Sequence, residues 1–212
     1  MTPIAGSVDL ATVMTNLSQQ RPVFHSEADF QFALAQAIAA ADSSIQVRLE
    51  VRQPAERAEY VDIVCRTKER RTLIELKYAT ASWRGEDGQG EHFQLKNHAA
   101  YDLARRYFIH DVHRLERFTE PASNTDGLAV MLTNVPGLWN PPAGRVTRDA
   151  DFRIHEGRTL AGHLQWANGS APRFDQDLAG TYTAEWHDYW RFEGANGLFR
   201  WLAFSVRSRP AS

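Results

Sequence analysis

The sequence predicts an α/β fold, and three observations support this class. Apolar residues recur at helical spacing from Glu27 to about Ala41. Three segments with the alternation and composition of strands follow between residues 47 and 78. A second helical pattern then precedes a continuous apolar run at 128–133, which is typical of a strand covered on both faces. The chain is therefore expected to combine helices with a central sheet.

Composition limits the classes of function. The 212 residues carry a net charge of −2 and a pI of about 6.4, so there is no global positive charge for nucleic-acid binding, although a local basic groove is compatible with these values. The single cysteine, Cys65, lies in an apolar run and is interpreted as a core residue. No apolar segment approaches the length of a membrane span, and no signal-peptide pattern opens the chain. We therefore expect a cytoplasmic protein without a membrane partner.

The N-terminal part predicts two helices. Residues 1–22 form a weakly patterned helical segment, in which Val8 to Leu17 is expected to pack as a short helix on the main body. Ser26 is a suitable N-cap for the helix that starts at Glu27. Glu27 has a plain interpretation, because an acidic side chain in a first turn interacts favourably with the helix dipole.

Three strands are predicted after this helix. They lie at Val47–Val51, Glu59–Arg66 and Arg71–Tyr78. The polar, charged turn at 67–70 joins the second and third strands, so residues 59–78 are interpreted as a hairpin.

Two of these strands carry charged residues among apolar ones. Side chains alternate across a strand, so Glu75 and Lys77 share one face and their apolar neighbours occupy the other. Asp62 lies between apolar residues of the preceding strand. A carboxylate in such surroundings is costly unless it is compensated, and either Lys77 or a metal ion would compensate Glu75. A weak surface ion pair and an edge-strand charge are the plain alternatives.

The next segment predicts a loop and a long helix. Residues 79–90 are rich in glycine and are interpreted as a loop. Apolar residues recur at helical spacing over 91–117, and the opposite side is basic, which is also compatible with a simple solvated face. His110 and His113, followed by Glu116, have a metal-like spacing, but an exposed helix face is their plain interpretation.

The last third of the chain predicts further strands but no function. Residues 134–144 contain prolines and glycines and are interpreted as a long irregular loop. The aromatic-rich segments 181–192 and 198–206 predict a hairpin. Their aromatic side chains are interpreted as core rather than as a base-stacking surface.

The acids and the lysine follow one another in a distinctive order. Glu27 lies on the first helix, Asp62 on the second strand and Glu75 on the third, and Lys77 completes the spacing Glu-x-Lys. This arrangement resembles the PD-(D/E)XK nuclease superfamily, whose core has the order αβββαβ, with an acid on the second strand and (Asp/Glu)-x-Lys on the third. The proline that names the motif is absent, since Tyr60–Val61 precedes Asp62.

The resemblance implies a restriction-endonuclease-like fold, with a central mixed sheet flanked by helices and a C-terminal β-rich extension. It covers roughly residues 24–134. The expected organisation is an N-terminal helical segment at 1–22, a nuclease-like core at 23–135 and an extension at 136–212 that packs on the same domain.

The resemblance also implies a site. The expected metal ligands are Asp62, Glu75, the backbone carbonyl of Leu76, and Glu27. Mg²⁺ is the expected ion, with Mn²⁺ as a substitute, because hard divalent cations prefer carboxylate oxygens. Lys77 would orient or deprotonate the attacking water, and Gln94, in the helix after the third strand, would add a polar group. The predicted nucleic-acid contacts are Lys96, Arg84 and Arg105.

The expected activity is therefore hydrolysis of phosphodiester bonds in nucleic acid, with DNA favoured over RNA. By the same resemblance the protein could act as a homodimer. The alternative is a catalytically inactive module on the same fold, which would bind nucleic acid or protein through the loops at 79–90 and 134–148. A third interpretation is an unrelated α/β protein in which the acids lie far apart.

Overall fold

The computed structural model describes residues 3–55, 57–119, 124–144 and 146–207. Within these residues the chain has an α/β fold, with helices around a mixed central sheet and further strands from the C-terminal part. The predicted N-terminal segment and C-terminal extension thus include a few terminal residues, 1–2 and 208–212, that lie outside this description.

The elements follow the chain in a simple order. The helices are α1 (Leu10–Gln20), α2 (Glu27–Ala41), α3 (Tyr101–Thr119) and the single turn α4 (Pro136–Trp139). The strands are β1 (Gln46–Gln53), β2 (Glu59–Arg66), β3 (Arg71–Ala79), β4 (Trp83–Glu86), β5 (His92–Leu95), β6 (Thr125–Thr133), β7 (Thr159–Leu164), β8 (Gln176–Thr183), β9 (Trp186–Arg191) and β10 (Leu198–Val206).

Six strands form the central sheet in the order β1-β2-β3-β6-β10-β9. The pair β3–β6 is parallel, and every other neighbouring pair is antiparallel. Strand β6 is buried at every position, as its apolar run predicts. Strands β9 and β10 complete the same sheet, so the part of the chain after residue 136 contributes to the central sheet and its core.

Apolar residues cover the sheet on both faces. One cluster packs β3 residues such as Ile74 and Leu76 against α1 and α2. The other packs Leu73 and its neighbours against α3 and the β7–β8 hairpin. Strand β3 therefore lies between two helical layers, and any polar side chain on it must find a partner within one of them.

Helix α2 begins where the sequence predicts. The Ser26 hydroxyl accepts a hydrogen bond from the Asp29 amide at 3.2 Å, and this cap leaves Glu27 as the first helical residue. Phe30, Leu34 and Ile38 are fully buried on the face toward the sheet. Among the described residues, no helix combines the length and apolar character needed to cross a membrane.

Some predicted elements are wrong in their boundaries, and the loop predicted at 79–90 contains strand β4. The helix expected from residue 91 begins only at Tyr101, because 92–95 form strand β5 with β4. Phe93 and Leu95 are buried while His92 and Gln94 are exposed, which is the alternation of a strand. The predicted aromatic strand 181–192 is divided between β8 and β9, and only β9 forms the hairpin with β10.

Candidate active site

At Asp62 the regular alternation of side chains along strand β2 is interrupted. Val61 and Ile63 are two residues apart and would share a face in a regular strand, yet they pack on opposite sides of the sheet. The ladder between β2 and β3 also stops at the pair Ile63–Ile74. The Asp62 side chain enters the resulting gap, and its Oδ2 accepts a hydrogen bond from the Leu76 amide at 2.6 Å.

A second irregularity lies opposite Asp62 on the edge strand. Glu50 has a φ of +51°, in the left-handed region, and neither Glu50 nor the opposite residue Asp62 has a Cα partner in the β1–β2 register. Gln31 of α2 donates to the Glu50 carboxylate and to the Asp62 carbonyl, both at 2.8 Å. Helix α2 thereby fixes the backbone at Asp62. Sequence reasoning missed both residues, although Gln31 lies one helical turn after Glu27 and so shares its face.

Glu27 reaches the next available amide of β3. Its Oε2 accepts a hydrogen bond from the Tyr78 amide at 2.8 Å. The amides of Leu76 and Tyr78 would face β2 if the ladder continued, because alternate residues of a strand direct their N–H groups to the same edge. Two carboxylates, from Asp62 and Glu27, therefore replace a neighbouring strand as acceptors along this stretch of β3.

Glu75 and Lys77 lie on the opposite side, against α3. Arg114 Nη1 lies 3.0 Å from Glu75 Oε1, and Asp111 Oδ2 lies 2.7 Å from Lys77 Nζ. Asp111 and Arg114 pair with each other at 3.3 Å, one turn apart on α3. We call these four residues, Glu75, Lys77, Asp111 and Arg114, the charge square. The two charges of β3 are thus matched by two opposite charges of one helix.

The charge square shows which side chains lie against Glu75 and Lys77, which the sequence leaves open. Arg114 compensates Glu75 in part, whereas Lys77 pairs with Asp111. Lys77 Nζ also donates to the Leu76 carbonyl at 2.9 Å, the same carbonyl that the resemblance implies as a metal ligand. Neither α3 residue was singled out from the sequence, where the only available signal was an acid and a base three positions apart in a basic helix.

Burial perturbs the ionisation of these groups. Burial, with Asp111 and Asp62 nearby, raises the pKa of Glu75 to about 9, and the contact with Arg114 offsets only part of this rise. Burial also raises the pKa of Asp62, against the opposing effect of the Leu76 amide. For Lys77, burial alone would lower the pKa, but Asp111 and Glu27 raise it on balance. Glu75, only 3% exposed, is consequently a carboxyl that needs further positive charge to ionise.

The acids of the cluster outnumber its cations. The charge square contains two acids and two bases, while no ion pair in the described part of the chain involves Glu27 or Asp62. Among the described residues, these two carboxylates hydrogen-bond only to backbone amides, and Lys77 interacts with both through its charge. This excess fits the charge and the oxygen preference of one hard divalent cation. Within the described residues, no group of three or more His, Cys, Asp or Glu side chains is arranged so that it could hold a metal ion.

The other predicted contacts are scattered. Gln94 and Arg84 face each other in register on the β4–β5 hairpin, and both are exposed. Gln94 thus lies on a strand and not on the predicted helix. Lys96 follows β5 and is exposed as well, with its carbonyl bound to Thr80. The hairpin lies beside the start of α2, where the His25 ring stacks on Phe93 at 4.3 Å between centroids.

The prediction that Arg105 contacts nucleic acid does not agree with its position. Arg105 is 4% exposed, and its guanidinium pairs with Asp149 at 2.6 Å and donates to the Gly137 carbonyl. A buried guanidinium with these partners cannot contact a nucleic acid, so its role is to join α3 to the loop before β7. The metal-like group His110, His113 and Glu116 also has partners within the protein, because all three side chains bond to β8.

No protein-family model, curated protein or solved structure matches this chain. The function of the site is therefore inferred from its geometry and chemistry.

Proposed function

We propose that the protein is a Mg²⁺-dependent nuclease that hydrolyses phosphodiester bonds, with DNA as its substrate. One observation carries the proposal: Asp62 and Glu27 converge on alternate amides of β3, next to Glu75 and Lys77. These four residues come from three different elements, α2, β2 and β3, which follow one another in the order that the restriction-endonuclease-like core would have. The proposed core of that type spans residues 23–135, with β3 parallel to β6.

The oxygen atoms of this cluster are of the kind that Mg²⁺ prefers as ligands. In this proposal Asp62 and Glu75 hold Mg²⁺, with Glu27 and the Leu76 carbonyl as further oxygen ligands. Support comes from the two carboxylates for which the described residues show no ion pair, and from the burial of Glu75 beside other acids. A bound Mg²⁺ supplies Lewis-acid stabilisation of negative charge on the phosphate, and Mn²⁺ can replace it.

In this proposal Lys77 acts on the attacking water and on the charge of the phosphate. Its side chain is 23% exposed, against 3% for Glu75, so the ammonium group lies at the rim of the cluster. From there it can orient the attacking water and stabilise the negative charge that develops on the phosphate. The exposed side chains of Arg84 and Lys96 on and after the β4–β5 hairpin are the proposed contacts for the DNA backbone.

Cleavage assays test the proposal directly. Purified protein is incubated with supercoiled plasmid and with a single-stranded oligonucleotide, in Mg²⁺, in Mn²⁺ and in chelator. We expect metal-dependent cleavage that is abolished in Asp62→Asn and Lys77→Ala. Glu185→Gln, which alters an exposed acid on another part of the surface, is the matched control and should cleave like the wild type. Absence of cleavage of both substrates, or full cleavage by the Asp62 variant, would refute the proposal.

A binding module without catalysis is the second candidate, and the charge square favours it. Because Glu75 and Lys77 already have partners on α3, the pair can be explained as a structural contact. This alternative predicts DNA binding that is insensitive to chelator and to Glu75→Gln, together with no cleavage. Fluorescence anisotropy with a labelled duplex, run beside the cleavage assay, separates the two candidates.

A further inference from the structure

Helix α3 matches the spacing of the charges on β3. Residues two apart on a strand are separated by about 6.6 Å, and residues three apart on a helix lie on one face about 5 Å apart. Asp111 and Arg114 can therefore each meet one of Glu75 and Lys77, as they do at 2.7 and 3.0 Å. In both contacts an acidic side chain of one element meets a basic side chain of the other.

Asp111 is itself costly to bury. It is 5% exposed, and its partners are Lys77 on one oxygen and Arg114 on the other. A buried carboxylate is destabilising unless such partners compensate it, and an apolar residue on this face of α3 would join the surrounding core without that cost. Its position beside the lysine is therefore better explained by the lysine than by helix packing.

We propose that Asp111 is a positioning residue for Lys77, a role that rests on the proposed nuclease function. A lysine ammonium group on a long flexible chain has many rotamers, and the Asp111 carboxylate selects the one that lies over the Leu76 carbonyl. Arg114 orients Asp111 and at the same time holds Glu75. Asp111 does not touch the substrate in this scheme and acts only through Lys77.

The kinetic test uses Asp111→Asn, which keeps the shape and removes the charge. Misplacing a catalytic group by about 1 Å can cost on the order of 100-fold in rate, so we expect kcat to fall by about 10- to 100-fold while KM for DNA is unchanged. The matched control is Asp149→Asn. It breaks another buried acid–base contact of the same helix, to Arg105, at a distance from Lys77. This control should lose stability but keep its kcat in the folded protein.

A second measurement does not depend on activity. The chain contains three lysines, and Lys68 and Lys96 are exposed, so lysine side chains labelled with ¹⁵N give few and distinguishable ammonium signals. In the metal-free wild type, Lys77 should give the one rigid signal. That signal should shift and become mobile in Asp111→Asn and persist in Asp149→Asn.

The outcomes are distinguishable. A fall in kcat together with a mobile Lys77 supports the positioning role. An active wild type whose Asp111→Asn variant keeps its kcat, or loses affinity for DNA instead, overturns this role and leaves the proposed function standing. An inactive wild type overturns both. If Asp111→Asn does not fold, the wild-type spectrum still decides, because a Lys77 ammonium as mobile as that of Lys68 overturns the proposal.

Discussion

Replacing Glu75 by glutamine should make the protein more stable at alkaline pH. The pKa of this carboxyl rises from 4.5 in a free side chain to about 9 in the folded protein. Between these values the folded state keeps a proton that the unfolded state has lost. Folded protein therefore binds more protons, and its stability falls as pH rises through this window. Glutamine resembles the protonated carboxyl in shape and does not titrate, so Glu75→Gln removes this source of pH dependence.

The size of the effect follows from the same shift. One pKa unit corresponds to about 1.4 kcal/mol, so the full shift corresponds to at most about 6 kcal/mol, and the interval from about pH 5 to about pH 8 to at most about 4 kcal/mol. The value of about 9 already includes the contact with Arg114 at 3.0 Å, which favours the ionised form. We expect the stability difference between Glu75→Gln and the wild type to grow by a few kcal/mol over this interval.

Urea unfolding at several pH values measures this difference. The difference between variant and wild type isolates Glu75, since all other titrating groups are common to both proteins. Glu185→Gln is again the control and should show no such trend. Added Mg²⁺ at about pH 8 should stabilise the wild type more than Glu75→Gln, because binding to the folded state is linked to its stability. A stability difference that stays constant with pH would refute the assignment of Glu75 as a buried, protonated carboxyl.

Two further substitutions probe the surroundings of the site. Gln31→Ala removes the donor to the Asp62 carbonyl, so we expect a loss of about 1 kcal/mol in urea unfolding together with slower DNA cleavage; unchanged cleavage would show that α2 does not position Asp62. Gly127→Ala would place a Cβ 3.0 Å from the Leu115 Cβ, where α3 crosses β6. We expect a loss of about 1–3 kcal/mol in the same assay. Gly88→Ala, where the added Cβ meets open space, serves as the control.

The elements that depend on local signals could be predicted from the sequence. Helix α2 begins at Glu27 because Ser26 caps it, and β2 has the predicted bounds because its ends are marked by polar turns. The fold was predictable as far as its α/β class and the order of α2, β1 to β3, α3 and β6, but without the β4–β5 hairpin between β3 and α3. Phe93 and Leu95, two residues apart, have the spacing of a strand, but a segment of four residues is too short to be separated by pattern from the helix that follows.

The contacts across the sheet could not be predicted in the same way. Arg105 and Arg114 lie in one basic helix and look alike in sequence, yet one holds Asp149 and the other holds Glu75. Which partner each arginine meets depends on how α3 crosses the sheet, and that is a property of the packed protein. The strand break at Asp62 likewise depends on Glu50, on a neighbouring strand, whose backbone conformation no local pattern indicates.

Because Asp62 and Glu27 accept hydrogen bonds from β3, the two oxygens of each carboxylate differ in their surroundings. One oxygen of Asp62 and one of Glu27 are fixed by main-chain amides at 2.6 and 2.8 Å. The second oxygen of each makes no hydrogen bond that the described residues display. A ligand that arrives at those outer oxygens would meet side chains whose orientation is already set, so little conformational entropy would be lost on binding. The main chain of β3 would in this way preorganise both acids for a ligand. Hydrogen exchange at the Leu76 and Tyr78 amides would report whether these hydrogen bonds are formed.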